Sequence, residues 1–464
     1  MRNRWSLLET MLVAAQALWL ALALAVAVYV DAHARGIRLD WTARTPTVIA
    51  GAGIALLGFY YAGLLDGRRF ERRVSPAGRY RLFVPAVTLA TVWLMSTRLL
   101  DLGGPSSALY LLASVLFAAW IQTYGVRIFR RRGLTHRIVI IGYGAEARQL
   151  ASDLLLHDPR GSEVLAFIVA ERAPEGPPDS AAGHRVLTVP ALVPFVTTSK
   201  VGRILVVGSE FGGALPVHDL LLCRECGIVV ESASEFRERL LGRVSAADLD
   251  PNWIVPSRAP HVIKRCIDTL AAVAILVVGA PVCLLVAVAV KLEDGGPVFF
   301  HQVRMGEAGT RFWLHKLRSM RPDAEAASGP LWAVPNDPRS TRVGRWIRVL
   351  RIDEIPQAWN ILVGEMSLVG PRPERPEFEE TLRAAIPNYD FRHALRPGLT
   401  GWAQINLPTA ATLEHARLKV EYDLYYIRHA SWPMDLLILL RSGKIILREW
   451  ETTLAHGFHL ETQG

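Results

Sequence analysis

Asp353 and Glu354 stand side by side in the run Arg348-Val-Leu-Arg351-Ile-Asp-Glu, with Ile-Pro-Gln-Ala-Trp-Asn-Ile-Leu directly after them. Adjacent carboxylates repel, so a plain surface gains little from the pair. Beside a divalent cation and a phosphorylated substrate the pair makes chemical sense. One carboxylate can attack phosphorus while the other helps to hold Mg²⁺, and Arg348 and Arg351 can neutralise phosphate oxygens. The plainer alternative is a solvated Asp-Glu at a helix start, where the macrodipole favours acids. Standing alone the dipeptide favours that alternative, so the elements that position it have to decide.

The chain has 464 residues, is 51% hydrophobic and carries a formal net charge of +9. Its mean hydropathy is positive. The length allows more than one domain, and the mixture of apolar content and basic charge points to a membrane protein facing anionic lipid or phosphorylated substrates. Apolar stretches at 11–30, 47–65, 82–100 and 108–126 each have about the 20 residues that cross a bilayer as a helix. The first has no clear small-residue cleavage site and three similar stretches follow, which argues against a signal peptide. Arg68, Arg69, Arg72, Arg73, Arg79 and Arg81 follow the second stretch, and Arg127, Arg130, Arg131, Arg132 and Arg137 follow the fourth. The connection between the third and fourth has no basic residue. Residues 1–133 are therefore expected to form a four-helix transmembrane unit with both termini in the cytoplasm. Cys223 and Cys226 have the CxxC spacing, but no second pair or His cluster completes a metal site, and the four cysteines read as buried cytosolic thiols.

Residues 134–245 alternate between strand and helix patterns. Arg-Ile-Val-Ile-Ile-Gly142-Tyr-Gly144-Ala-Glu-Ala147 reads as a buried strand, a tight turn and a helix start. Further strands are expected at Val164–Val169, Arg203–Gly208 and Gly227–Glu231, a Rossmann-like layout. Gly-x-Gly-x-x-Ala is a relaxed dinucleotide fingerprint, with Glu171 placed to hold a ribose. The alternative is a module kept for packing or assembly. A membrane-bound nucleotide-sugar dehydratase or epimerase would share this front end, but its chemistry calls for Tyr-x-x-x-Lys, and no lysine in the chain has a tyrosine four residues before it.

Residues 246–262, rich in Pro and Asp, read as a linker to a C-terminal domain at 263–464. The apolar stretch 269–290 has the length of a span, but Pro281 interrupts it. Basic residues also flank it on both sides: Lys264 and Arg265 before, and Lys291, Arg304, Arg311, Lys316 and Arg318 after. A spanning helix would leave one basic flank outside. A re-entrant helix over about 263–291 satisfies both observations. Trp432–Trp450, with Arg441, Lys444 and Arg448, reads as an interfacial amphipathic helix.

In order, the motifs are Lys264-Arg-x-x-x-Asp268 with Ala280-Pro281, Gly296-Pro-Val-Phe-Phe-His-Gln302-x-Arg304-x-Gly306, and Phe312-x-x-x-Lys316-Leu-Arg318-Ser-Met320. The Asp353-Glu354 segment, Gly364-x-Met-Ser-x-Val-Gly370-Pro-Arg372-Pro-Glu374, Arg396-Pro-Gly398-Leu-Thr400-Gly401-Trp402-Ala-Gln404 and Lys419-x-x-x-Asp423-x-Tyr425-Tyr426 follow. Over about 262–448 the chain resembles the bacterial sugar transferases, polyprenyl-phosphate hexose-1-phosphate transferases of the monotopic phosphoglycosyl transferase superfamily. The four-span front end and Rossmann-like module resemble its long-form members. Asn336-Asp-Pro-Arg and Arg372-Pro-Glu-Arg-Pro-Glu resemble the branch associated with exosortase and exopolysaccharide loci.

The resemblance implies Asp353 as nucleophile, Glu354 as Mg²⁺ ligand or its organiser, and Arg348 as the arginine meeting the lipid phosphate, which by itself reads equally as a helix-face cation contacting lipid headgroups. It implies a UDP-sugar and polyprenyl phosphate as substrates and a mainly α, monotopic catalytic domain on the cytoplasmic face of the bacterial inner membrane. The residues themselves add that a carboxylate of ordinary pKa, about 4, is already ionised at neutral pH. Arg372, in a rigid Pro-flanked loop, suits a diphosphate. Arg396 and Gln404 flank a glycine turn on the nucleotide side, Lys316 and Arg318 read as active-site cations or an interfacial belt, and Trp402 reads as packing. No nucleic-acid partner is expected, and a homodimer is left open. A non-enzymatic assembly scaffold is the third reading, which the intact Asp353, Glu354, Arg348 and Arg372 oppose.

Overall fold

The computed structural model describes residues 4–36, 104–120, 136–157, 162–170, 185–208, 215–246, 261–325, 337–408 and 412–460, with isolated positions between them. They fall into two compact units, Met1–Val230 and Glu231–Gly464.

In the first unit, α1 (Arg4–Ala34) packs against α2 (Gly104–Trp120). Leu20, Leu24, Ala27 and Val28 are buried, and the Trp19 indole N–H donates to the Ala113 carbonyl at 3.3 Å. Leu18, Leu22, Val26 and Tyr29 keep the outer side of α1 apolar as well. A helix apolar all round is not the pattern of one that turns a face to water. The expected spans at 47–65 and 82–100 lie almost wholly outside the described residues, as does Glu171.

Next in the chain comes a parallel sheet of five strands. They are β1 (His136–Ile141), β2 (Ser162–Val169), β3 (Arg185–Thr188), β4 (Arg203–Val206) and β5 (Val229–Ser232), in the order β3-β2-β1-β4-β5. β1 pairs in parallel with both β2 and β4, and β2 with β3. The crossovers are α3 (Ala145–His157), α4 (Leu192–Thr198) and α5 (Val217–Glu225). β1 is a continuous Ile-Val-Ile-Ile run because both faces are covered, as parallel strands require. β3 was not expected; only the short Arg-Val-Leu-Thr run, exposed at Arg185 and half-buried after it, marks it. The cysteine reading is corrected: Cys223 is buried in this core, but Cys226, just past the end of α5, and Cys266 are exposed, and Cys283 is half-buried.

In the second unit α6 (Ala233–Leu241) precedes α7 (His261–Asp294), the one described helix long and apolar enough to cross a membrane. Next come the antiparallel hairpin β6 (Phe299–Met305) and β7 (Arg311–Leu317), α8 (Arg342–Val349) and α9 (Gln357–Val363). The short strand β8 (Ser367–Val369) pairs in parallel with β9 (Gly398–Thr400), and α10 (Pro376–Ala385) lies between them in sequence. α11 (Trp402–Asn406), α12 (Leu413–His429) and α13 (Trp432–Leu460) complete the unit. Its core joins Ala272 of α7 to Phe312, Leu314, Ala358, Ile361, Met366 and Tyr426.

α7 is fastened along its length. Near its start Arg265 donates to the Ile361 and Leu362 carbonyls, and Lys264 pairs with Asp435 at 2.7 Å. Buried Asp268 accepts from Ser367 Oγ at 2.8 Å and from the Leu368 N–H at 3.1 Å. At its end Glu293 caps the N-terminus of α8, accepting from the Arg342 N–H at 2.6 Å, and Asp294 holds Arg318. Pro281 lies inside the helix. The outward side is aliphatic: Val262, Leu270, Val277, Val278, Leu284 and Leu285 are all exposed.

Candidate active site

Arg351 follows α8 in the left-handed backbone region, φ 55°. That conformation is uncommon for a side chain with a Cβ and collects at functional sites. Here it turns the chain into a single 3-10 turn, Ile352–Glu354, that carries both carboxylates inward. Asp353 is 7% exposed and Glu354 8%. A solvated pair at a helix start is therefore excluded. α7 reaches the same place: a Cβ at Gly279 would sit 2.6 Å from Ile355 Cγ2, so only glycine lets the long helix pass so close beside the pair.

The two carboxylates have different surroundings. Arg372 donates to Glu354 Oε1 at 3.0 Å, Lys316 Nζ lies 3.6 Å from the same oxygen, and Arg351 lies 3.6 Å from Oε2. Burial alone would raise the Glu354 carboxyl, but Arg372, Lys316 and Arg351 together outweigh it and hold the group down at about 2. Asp353 has no such clasp. Burial pushes it up to about 6, opposed by Lys316 and reinforced by the neighbouring Glu354 anion, with Arg348 and Arg351 also opposing. Its Oδ1 is buried with no hydrogen-bond partner among the described residues. The ordinary carboxylate pKa expected from sequence is thus corrected, because desolvation outweighs the nearby cations. Burial likewise lowers Lys316, against the pull of Glu354.

Arg372 owes its position to backbone contacts along its loop. The Gly370 N–H donates to Thr400 O at 2.9 Å and the Gly398 N–H to Pro371 O at 2.8 Å. Arg392 donates to Arg372 O at 2.9 Å and Arg304 to Pro373 O at 3.1 Å. A Cβ at Gly370 would fall 2.3 Å from Arg396 O, which fixes glycine there. Arg392 is itself held by Asp423 at 2.8 Å and by the Tyr389 hydroxyl at 2.9 Å, all three residues buried. Glu374, paired with Lys419, completes this buried network. Asp423, which had no defined task from sequence, positions Arg392 and through it the Arg372 backbone.

The other residues singled out from sequence fall at varying distance from the pair. Arg348 binds Ser340 Oγ at 2.9 Å and is among the cations acting on Asp353. Arg318 is held by Asp294 at 2.6 Å and by the Pro297 carbonyl, at the end of α7. Arg396 pairs with Glu307 at 3.1 Å on the surface, and Gln404 donates to Leu399 O at 3.3 Å. Trp402 donates to Gly242 O at 2.7 Å and stacks on Tyr425. Sequence reasoning assigned no task to Arg304, Arg392 or Gln357, of which the first two hold the Arg372 loop and the third is buried one turn after Asp353. Arg304 was visible inside a motif, but isolated arginines carry no sign of which carbonyl they will meet.

Among known proteins, the profile described as bacterial sugar transferase matches residues 259–449. A UDP-N-acetylgalactosamine-undecaprenyl-phosphate N-acetylgalactosaminephosphotransferase of Aeromonas hydrophila is 42% identical over 231 residues, 49% of this chain and 54% of that protein. A UDP-glucose:undecaprenyl-phosphate glucose-1-phosphate transferase of Escherichia coli K12 is 32% identical over 324 residues, 68% of each chain. An exopolysaccharide production protein of Rhizobium leguminosarum bv. phaseoli is 40% identical over 203 residues, 42% of this chain and 98% of that protein. This chain belongs to the bacterial sugar transferase family. It spans about half the length of the Aeromonas relative.

Proposed function

We propose that the protein transfers a sugar 1-phosphate from a UDP-sugar to polyprenyl phosphate, undecaprenyl phosphate in its named relatives. The products are polyprenyl-diphospho-sugar and UMP, and the reaction opens the assembly of a glycan such as an exopolysaccharide. The observation that carries the reading is the buried pair in which Glu354 is clasped by cations while Asp353 Oδ1 has no hydrogen-bond partner among the described residues.

An Asp353 oxygen attacks the sugar-bearing phosphorus, the bond to the bridging oxygen breaks, and UMP leaves with the electron pair. An oxygen of the lipid phosphate then attacks the same phosphorus and returns the carboxylate. Both steps bring anions together, so charge stabilisation is the main demand on the protein. Arg372, fixed through its loop, and Lys316 face the developing charge. Glu354, held ionised by them, keeps these cations in place between turnovers. The orphaned Asp353 Oδ1 and the Glu354 carboxylate are hard oxygen donors of the kind Mg²⁺ takes, so the residues fit that ion, which when bound would neutralise phosphate charge.

For the membrane, we read α7 as re-entrant, with the catalytic unit on the cytoplasmic face. Contacts to the same unit at Lys264, Arg265 and Asp268, at Gly279, and at Glu293 and Asp294 support this. So does the exposed aliphatic side of the helix, together with exposed Trp313, Trp346, Trp359 and Trp432, residues that favour the bilayer interface. Cysteines introduced beyond Val290 should resist a membrane-impermeant maleimide on intact cells; modification there would make α7 a true span.

The activity is tested by incubating the purified protein with Mg²⁺, undecaprenyl phosphate and a panel including UDP-glucose and UDP-N-acetylgalactosamine, scoring UMP. Absence of UMP release across the panel would overturn the reading.

A further inference from the structure

Asp353 Oδ1 is not the only orphan on this helical run. Gln357 is 3% exposed, and its side-chain Nε2 is buried with no hydrogen-bond partner among the described residues. Ile355 and Pro356, between the two residues, both have right-handed helical backbone (φ −53°, ψ −42° and φ −62°, ψ −18°). The chain therefore runs from the 3-10 turn into α9 without a break. Residues four apart on such a run share a side, and both of these side chains are on the buried one. A buried acceptor and a buried donor, each unused, stand about one turn apart.

Buried polar groups are almost always paired, and one left unpaired carries the full penalty of leaving water. The amide is not explained by packing, since methionine would fill similar volume without the penalty. It is not engaged with Glu354 either, whose partners are Arg372, Lys316 and Arg351. What enters beside Asp353 during the reaction is a phosphoryl group, whose non-bridging oxygens gather negative charge and accept hydrogen bonds.

We propose that Gln357 is a catalytic residue: its side-chain N–H donates to a non-bridging oxygen of the phosphoryl group as that group moves onto Asp353. The inference rests on the transferase reading above. The O–P bond to Asp353 forms and the bridging O–P bond breaks, UMP taking the electron pair. Gln357 gives a hydrogen bond and no proton. A fixed amide donor aimed at a reacting oxygen in a dry site needs no reorganisation when charge develops, and removing one such donor typically lowers turnover about 100-fold to 1,000-fold.

The test compares full-length protein with Gln357→Met, which keeps the length and removes the donor, and Gln357→Asn, which draws the donor back by one methylene. UMP release, KM for the UDP-sugar and thermal midpoint are measured for each. The expected result for Gln357→Met is a fall in kcat of about 100-fold with KM within about threefold, and a thermal midpoint equal to or above that of the unaltered protein. Gln357→Asn should fall between the two. A UDP-sugar with sulfur at a non-bridging position of the sugar-bearing phosphate adds a readout that a packing role would not move. Sulfur accepts hydrogen bonds poorly, so the rate penalty for sulfur should shrink in Gln357→Met. Turnover of Gln357→Met within threefold of the unaltered protein, an unchanged sulfur penalty, or a midpoint lowered by several degrees would each overturn the assignment. If unaltered protein releases no UMP, the transferase reading fails instead. The midpoint of Gln357→Met still decides whether the amide has a partner within the fold.

Discussion

Asp353 and Glu354 are neighbours in sequence and opposites in environment. Glu354 receives a guanidinium and two further cations, while Asp353 is buried beside that cluster with one oxygen unpartnered. The proposed division of labour follows from this: the clasped carboxylate would organise charge and the unclasped one would react. Because the folded pKa of Asp353 is raised, its contribution to stability is complete below the unfolded value, about 4, and declines as pH rises through about 6. Ionising it in the fold therefore costs stability above that range. Asp353→Asn should abolish UMP release and, in EDTA, unfold at a higher temperature than the unaltered protein at pH 8. That gap should close as pH falls towards 4. Calorimetry across this range checks the sign; a variant less stable at pH 8 would contradict it. Activity should fall on the acid side near pH 6 as Asp353, the proposed nucleophile, takes up a proton.

At the scale of elements, the Arg372 loop is positioned by a buried network together with the short β8–β9 pairing. Asp423 on α12 holds Arg392, Arg392 holds the Arg372 carbonyl, and the β8–β9 pairing holds Gly370 and Gly398. Breaking a buried ion pair by removing one partner leaves the other charge uncompensated, at about 3–5 kcal/mol. Asp423→Asn should accordingly lower the thermal midpoint by several degrees and reduce turnover at least tenfold. A midpoint within one degree of the unaltered protein would show that the network is not a support. α6 and the segment after it belong to this scale too. Val244 and Ala246 enter the core with Leu382, Tyr389 and Leu424, Arg428 pairs with Glu238 at 2.7 Å, and Gly242 accepts from Trp402. The composition of 233–246 had placed these residues in the α/β module and the linker.

At the scale of the molecule, two compact units divide at Val230–Glu231, and every residue of the candidate site lies in the second. The Rhizobium relative is matched over 98% of its own length by only 203 residues of this chain. A fragment of residues 231–464 expressed in membranes should therefore retain transfer, within about tenfold of the full chain on the scale of one support lost. The comparison is UMP release per mole of protein in matched vesicles, and complete loss in a fragment that is folded and membrane-bound would assign the first unit a direct part in catalysis.

The sequence by itself determined the linear facts. The alternation of β1, β2, β4 and β5 with helices, the length and apolarity of α7, and the ordered motifs that identify the family were all legible, because each depends on local periodicity or on residues close in sequence. It also placed Asp353, Glu354 and Arg372 in one site, since a run of motifs carries that information. It did not reveal that Asp353 has a raised pKa, that Arg318 is held by Asp294 at the end of α7, or that Asp423 acts through Arg392. Nor did it reveal that Gln357 Nε2 is buried without a hydrogen-bond partner among the described residues. Those depend on desolvation and on contacts between residues far apart in the chain. Only the tertiary structure sets which charges are stripped of water, and that decides what two identical functional groups do.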